Sequence, residues 1–182
     1  MITCRDQDIL NFLQEFHIGT SNQIHRLYFH LTSPRYTRKR LWYLVDCGLI
    51  KRARSTIDNS YAYYVNKKPV QLHHDLIRAE IYSHIKAKYD LLEWHNEAPV
   101  GNIRPDALCY IQHSGIVFPL IIEVHLNNKF DFDKYKNLDF KALFGVVPKV
   151  IICTDREVKL PLLPIKFKIV GLDMSGLDTL LK

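Results

Sequence analysis

Three helix starts stand within the first 34 residues of the chain, and no other stretch restricts its architecture as tightly. Thr3 with Asp6 has the spacing of a capping box, in which hydroxyl and carboxylate satisfy each other's backbone N–H groups. Ile9, Leu13 and Phe16 then recur at helical spacing up to Gly19. Thr20 with Gln23 forms a second box, followed by Ile24, Leu27, Tyr28 and Leu31. Ser33-Pro34 is the third start, with Ser as N-cap and Pro at the first helical position, where its missing N–H costs no bond. The third helix is predicted to run to Cys47, with Gly48 as its stop.

At about 100° per residue, Thr37, Leu41, Leu44 and Val45 share the inward face of that helix. Arg35, Tyr36, Lys39 and Tyr43 fall opposite, with Arg38 beside them and Arg40 and Trp42 at the edges. A face both cationic and aromatic suits phosphates and base edges, although many such faces are merely solvated. The segment after the helix favours the functional reading. Leu49 to Arg54 is strand-like and carries Lys51, Arg52 and Arg54; Asp58-Asn59-Ser60 is a turn, and Tyr61 to Val65 returns. Three short helices and a basic hairpin are the pattern of a winged helix-turn-helix, whose third helix enters the major groove while the hairpin touches the flanking backbone.

Charge agrees. Residues 1–68 hold 11 Lys/Arg against 5 Asp/Glu, so they contain the chain's whole net charge of +6, and residues 69–182 are balanced. That asymmetry argues for a nucleic-acid surface joined to a second domain, with the boundary expected at Asn66-Lys67-Lys68-Pro69. With 47% hydrophobic residues the chain is too apolar for disorder, yet no apolar run approaches the roughly 20 residues of a membrane helix. Arg5, Asp6 and Asp8 stand where a secretion signal would be apolar. Cys4, Cys47, Cys109 and Cys153 form no metal or disulfide pattern, so reduced thiols and a cytoplasmic location are expected.

From Leu72 to Tyr89 the pattern is helical, followed by strand-like segments at Leu91–Trp94, 103–111 and 117–126. A helix is predicted over 130–144, strands over 149–153 and 165–170, and a last helical turn over 177–181. There is no phosphate-binding Gly loop, so no nucleotide cofactor is expected. Glu123 ends an apolar strand with His125 two residues on, and a buried carboxylate needs a partner or a task. Arg104-Pro105-Asp106 opens the preceding strand, where Asp106 can meet Glu123; Glu80 on the first helix is a third carboxylate.

Pro105-Asp106 followed by Glu123-Val124-His125, between flanking helices, resembles the PD-(D/E)xK restriction-endonuclease-like fold. With the winged helix in front, residues 5–170 resemble the replication-relaxation family of bacterial plasmids, phages and conjugative elements. The resemblance implies an α+β chain with a winged-helix domain at 1–68 and a nuclease-like α/β domain at 69–182. It implies that Asp106 and Glu123 correspond to metal-binding carboxylates, with Glu80 and His125 completing a catalytic set. Active members of the fold normally carry Lys where His125 stands, so the site is expected to be degenerate unless Lys134 or Lys136 supplies the cation. The function expected is sequence-specific binding of double-stranded DNA, in control of transcription, replication or transfer, by a protein that can act as a homodimer and needs no cofactor. The alternative is an Mg- or Mn-dependent DNA endonuclease or nicking accessory targeted by the winged helix.

Overall fold

A computed structural model of the protein describes residues 1–126 and 130–180, in a mixed α+β chain that divides into two compact units, 1–87 and 88–182. Unit 1 runs α1 (Cys4–Glu15), β1 (Gly19–Thr20), α2 (Ser21–Tyr28), α3 (Pro34–Asp46), β2 (Lys51–Arg54), β3 (Tyr61–Tyr64) and α4 (Leu72–Lys88), the last ending at the boundary. Both capping boxes form as read, and Ser33 caps α3 by accepting from the Tyr36 N–H. Helices α1 and α2 stop earlier than the periodicity suggests, at Glu15 and Tyr28. Gly19 is required by close packing rather than as a helix stop, because a Cβ there would collide with the Phe12 ring. Strands β1, β3 and β2 form an antiparallel sheet in that order, with Arg52 opposite Tyr63 and Arg54 opposite Tyr61.

Helix α4 packs into unit 1, so the compact division falls about a helix length beyond the boundary read at 68/69. The Tyr82 ring lies 4.5 Å from Phe16 and 6.0 Å from Phe12, and Gln23 donates to the Leu76 carbonyl at 2.9 Å. Leu76 joins Ile18 and Ala62 in one apolar cluster. Each such large side chain contributes roughly 1.5–3 kcal/mol through burial. Pro69 marks the start of α4, but a helix start says nothing about which neighbour the helix will cover.

Unit 2 contains β4 (Asp90–Asn96), β5 (Ala107–His113), β6 (Ile116–Val124), β7 (Lys149–Cys153) and β8 (Lys166–Val170) in one sheet of that order. Pairs β4/β5 and β5/β6 are antiparallel, whereas β6/β7 and β7/β8 are parallel. The β5–β6 turn has positive φ at both Ser114 and Gly115, the conformation that suits the twist of a two-residue hairpin. The continuous helix predicted over 130–144 is replaced by a single 3-10 turn, Asp133–Tyr135, and a short helix α5, Phe140–Phe144. Phe130, Tyr135 and Phe140 are all buried in the same cluster, against which Phe132 packs, and one helix cannot turn residues at those spacings to a single face. Ile121, Val150 and Ile152 belong to that cluster, so the odd-numbered face of β6 is the one this segment covers. No helix among the described residues is long and apolar enough to cross a membrane.

Candidate nucleic-acid interface and carboxylate site

On α3, Thr37, Leu41 and Leu44 are buried, and Thr37 Oγ1 lies 2.8 Å from His25 Nδ1 on α2. Arg35, Arg38 and Lys39 are exposed, as is half of Tyr36, whose ring meets Phe29 edge-on at 5.9 Å. Trp42 is 56% exposed on the same stripe, at helical spacing from Arg35, Arg38 and Lys39. Helical periodicity alone puts this tryptophan at the edge of the face; the signal for its place on the stripe is an indole where the helix needs no apolar residue. On the hairpin, Lys51, Arg52 and Arg54 are exposed, and both guanidinium groups lie 4.7 Å from the Tyr61 ring centre. Lys51 Nζ donates to the Asn66 carbonyl at 3.0 Å.

Arg40 has partners of its own within unit 1. Its guanidinium binds the Asp6 carboxylate through two nitrogens, donates to the Met1 carbonyl at 3.0 Å and lies over the Tyr43 ring. That hydrogen bond to Arg40, aided by Thr3, holds the buried Asp6 carboxyl down at about 2. Arg40 therefore ties α1 to α3, and its charge is already neutralised. Tyr43 is half-buried beneath it, and its hydroxyl accepts from the Met1 amine. The other cations of α3 keep their charge at the surface. Unit 1 as the structure bounds it holds 13 Lys/Arg and 7 Asp/Glu, so the +6 is unchanged by the moved boundary.

In unit 2, Ala107 pairs with Ile122, which brings Asp106 beside the end of β6. Asp106 Oδ2 accepts the Val124 N–H at 2.6 Å. Glu123 is buried; Lys134 Nζ donates to its Oε1 at 2.6 Å and the Tyr135 hydroxyl binds the same oxygen. Burial pushes the Glu123 carboxyl above its ordinary range, Lys134 and the Tyr135 hydrogen bond pull it back, and the nearby Asp106 charge adds to the rise. Burial and Glu123 in turn push the Tyr135 hydroxyl up, so it remains a donor. β6 is the central strand of the five, with Glu123 near its end and Asp106 just before its neighbour β5.

Two other members of the expected set are placed differently. His125 lies just beyond β6, donates its N–H to the Cys153 carbonyl at 2.9 Å and sets its ring edge-on to Phe130 at 5.3 Å. Lys134, and not His125, supplies the cation bonded to Glu123; Lys136 pairs with Asp133 at 2.6 Å. Glu80 belongs to unit 1, with Arg26 and His84 each 2.9 Å from its Oε1. Burial alone would raise its carboxyl, but the His84 hydrogen bond and the Arg26 charge hold it at about 2. Among the described residues no group of three or more His, Cys, Asp or Glu side chains is arranged to hold a metal ion.

No family model matches this chain, and neither a curated protein nor a solved structure does.

Proposed function

We propose that the protein is a sequence-specific double-stranded DNA-binding protein that reads its site with α3 and braces the flanking backbone with the β2–β3 hairpin. The observation that carries this reading is the α3 stripe of Arg35, Arg38, Lys39 and Trp42, exposed on a helix whose opposite face is packed through Thr37, Leu41 and Leu44. Nothing in the packing of unit 1 requires those side chains, and the unit's excess of six positive charges suits a phosphate backbone. The element order of unit 1 fits a winged helix, in which Arg52 and Arg54, laid against Tyr61, make the first strand of the wing cationic. A dimer on a palindromic site, half-sites about one helical turn apart, is the arrangement such units commonly use. The resemblance to replication-relaxation proteins of mobile elements fits the same reading, with a role in transcription, replication or transfer. Selection of bound duplexes from a randomised pool tests it: an enriched motif is expected, and retention without enrichment would leave only non-specific binding.

A second reading, metal-dependent DNA cleavage, is favoured by one observation: Lys134 brings a fixed positive charge to Glu123, replacing the lysine that position 125 lacks. The mixed sheet, with Glu123 near the end of its central strand and Asp106 just before the neighbouring β5, suits a PD-(D/E)xK arrangement. Two carboxylates are the hard-oxygen donors that Mg²⁺ or Mn²⁺ accepts, with water filling the other positions. Such an ion, when bound there, would activate water and stabilise phosphate charge. Asp106 and Glu123 would hold it, and Lys134 would orient Glu123 and keep positive charge beside the phosphate. Plasmid incubated with Mg²⁺ or Mn²⁺ is expected to stay intact under the first reading. Cleavage lost in both Asp106→Ala and Lys134→Ala would move the second reading ahead.

A further inference from the structure

A cleft of about 640 Å³ opens in unit 2, with none of Asp106, Glu123 and Lys134 in its lining. Its walls combine two chemistries. Phe130 and Phe132, edge-on to each other at 4.8 Å, form an aromatic side that His125 extends. Arg156, Glu157 and Lys159, all exposed, line the other side and leave it net positive. Phe130 is shared with the neighbouring site, because Lys134 Nζ lies 5.4 Å from its ring centre while bonded to Glu123. The size falls within the roughly 300–1,000 Å³ of small-ligand clefts. Aromatic walls beside exposed cations fit a flat ring carrying a phosphate, which is how single strands are held: bases on aromatic rings, backbone on Arg and Lys. Duplex DNA, with its bases stacked inside, cannot present that combination.

We propose that this cleft takes one unpaired nucleotide of a DNA strand, its base against Phe132 and His125 and its phosphate on Arg156 and Lys159. The site would give unit 2 an affinity for melted or single-stranded DNA that is separate from the duplex surface of unit 1. Arg156 is placed for this by its Nε donating to the Leu126 carbonyl at 3.3 Å and its N–H to Thr154 Oγ1 at 3.2 Å. The proposal does not depend on sequence-specific duplex binding.

The test uses the full chain and a fluorescein-labelled oligothymidylate of about ten nucleotides. It is carried out in an Arg35→Ala/Arg38→Ala/Lys39→Ala background, so that unit 1 contributes little to the signal. Adding Arg156→Ala and Lys159→Ala is expected to weaken binding by roughly tenfold. Phe132→Leu, which keeps an apolar contact with Phe167 but removes the stacking ring, is expected to weaken it several-fold. In the otherwise native chain the Arg156/Lys159 pair should leave duplex affinity unchanged. Photo-cross-linking with a strand carrying 5-iododeoxyuridine should label the peptide containing Phe132 or His125. Unchanged oligothymidylate affinity in the Arg156/Lys159 variant, or cross-links confined to residues 1–87, would overturn the proposal. Both substituted cations are exposed, so that arm stands even where Phe132→Leu disturbs the core.

Discussion

Lys134 Nζ lies 2.6 Å from Oε1 of Glu123, joining a lysine on a 3-10 turn to a carboxylate at the end of the central strand. The Tyr135 hydroxyl binds the same oxygen, so two consecutive residues satisfy a charge that the apolar strand alone would leave buried and unpaired. Removing one partner of such a pair costs more than the pair contributes, because the other charge stays buried. Lys134→Ala should lower the unfolding free energy by about 1–3 kcal/mol, and Lys134→Arg should restore part of it. Urea unfolding at neutral pH measures both.

Glu123 also sets a pH dependence. Its carboxyl is raised in the folded state above the unfolded value of about 4.3, so the folded protein binds its proton more tightly. That contribution to stability is complete below the unfolded value and is lost as pH rises through the folded one. The stability of Glu123→Gln relative to the native chain should therefore improve as pH rises from about 4 through the folded-state pKa. A relative stability that falls over the same interval would mean that Lys134 and Tyr135 outweigh burial.

Asp6 acts in the opposite sense. Arg40 holds its carboxyl at about 2, below the unfolded value of about 3.9, so the stability it contributes is present above that value and lost as pH falls toward 2. The linkage is worth about 2 kcal/mol, since Asp6 is fully buried. Arg40→Ala should destabilise the protein by about that much at neutral pH and flatten its acid unfolding limb. A variant of native stability with weakened DNA binding would return Arg40 to the recognition surface.

Arg35→Ala, Arg38→Ala and Lys39→Ala should each leave stability within about 0.5 kcal/mol of native, because all three side chains are exposed. Each phosphate contact removed should reduce the slope of log affinity against log salt by about one, and a lost base contact should cost about 1–3 kcal/mol and relax the motif. Native affinity and salt slope in the triple variant would exclude α3 as the reading helix.

Trp42 provides a direct reading of the same surface. It is 56% exposed, whereas the only other tryptophan, Trp94, is 9% exposed. Addition of duplex should change the emission of Trp42, and Trp42→Phe should abolish the change.

A fragment of residues 1–87 should unfold cooperatively and keep duplex affinity, whereas 1–68 should not fold cooperatively. The shorter piece lacks Leu76, Tyr82 and Glu80, the partners of Ile18, Phe16 and Arg26. Thermal denaturation by circular dichroism separates the two.

The starts of unit 1's first three helices were legible because capping is local: Thr3 with Asp6, Thr20 with Gln23 and Ser33-Pro34 act within a single turn of chain. The same holds for Thr37, Leu41 and Leu44 on the inward face of α3, where Val45 is only half-buried, and for β7, whose bounds match the reading of an apolar run. Glu123 and Asp106 were picked out because a carboxylate at the end of an apolar strand conflicts with its surroundings wherever the chain goes. Three things depended on the tertiary structure. The broken segment after residue 130 answers to a sheet face that gathers Phe130, Tyr135 and Phe140, which helical periodicity cannot represent. Arg40 reads as one more cation of a basic face until Asp6, 34 residues earlier, closes on it. Lys134 reads as a surface lysine until the turn at 133–135 delivers it to Glu123. Capping and strand patterning are settled between near neighbours, but the partner of a charge is chosen by whichever distant segment packing brings within hydrogen-bond reach.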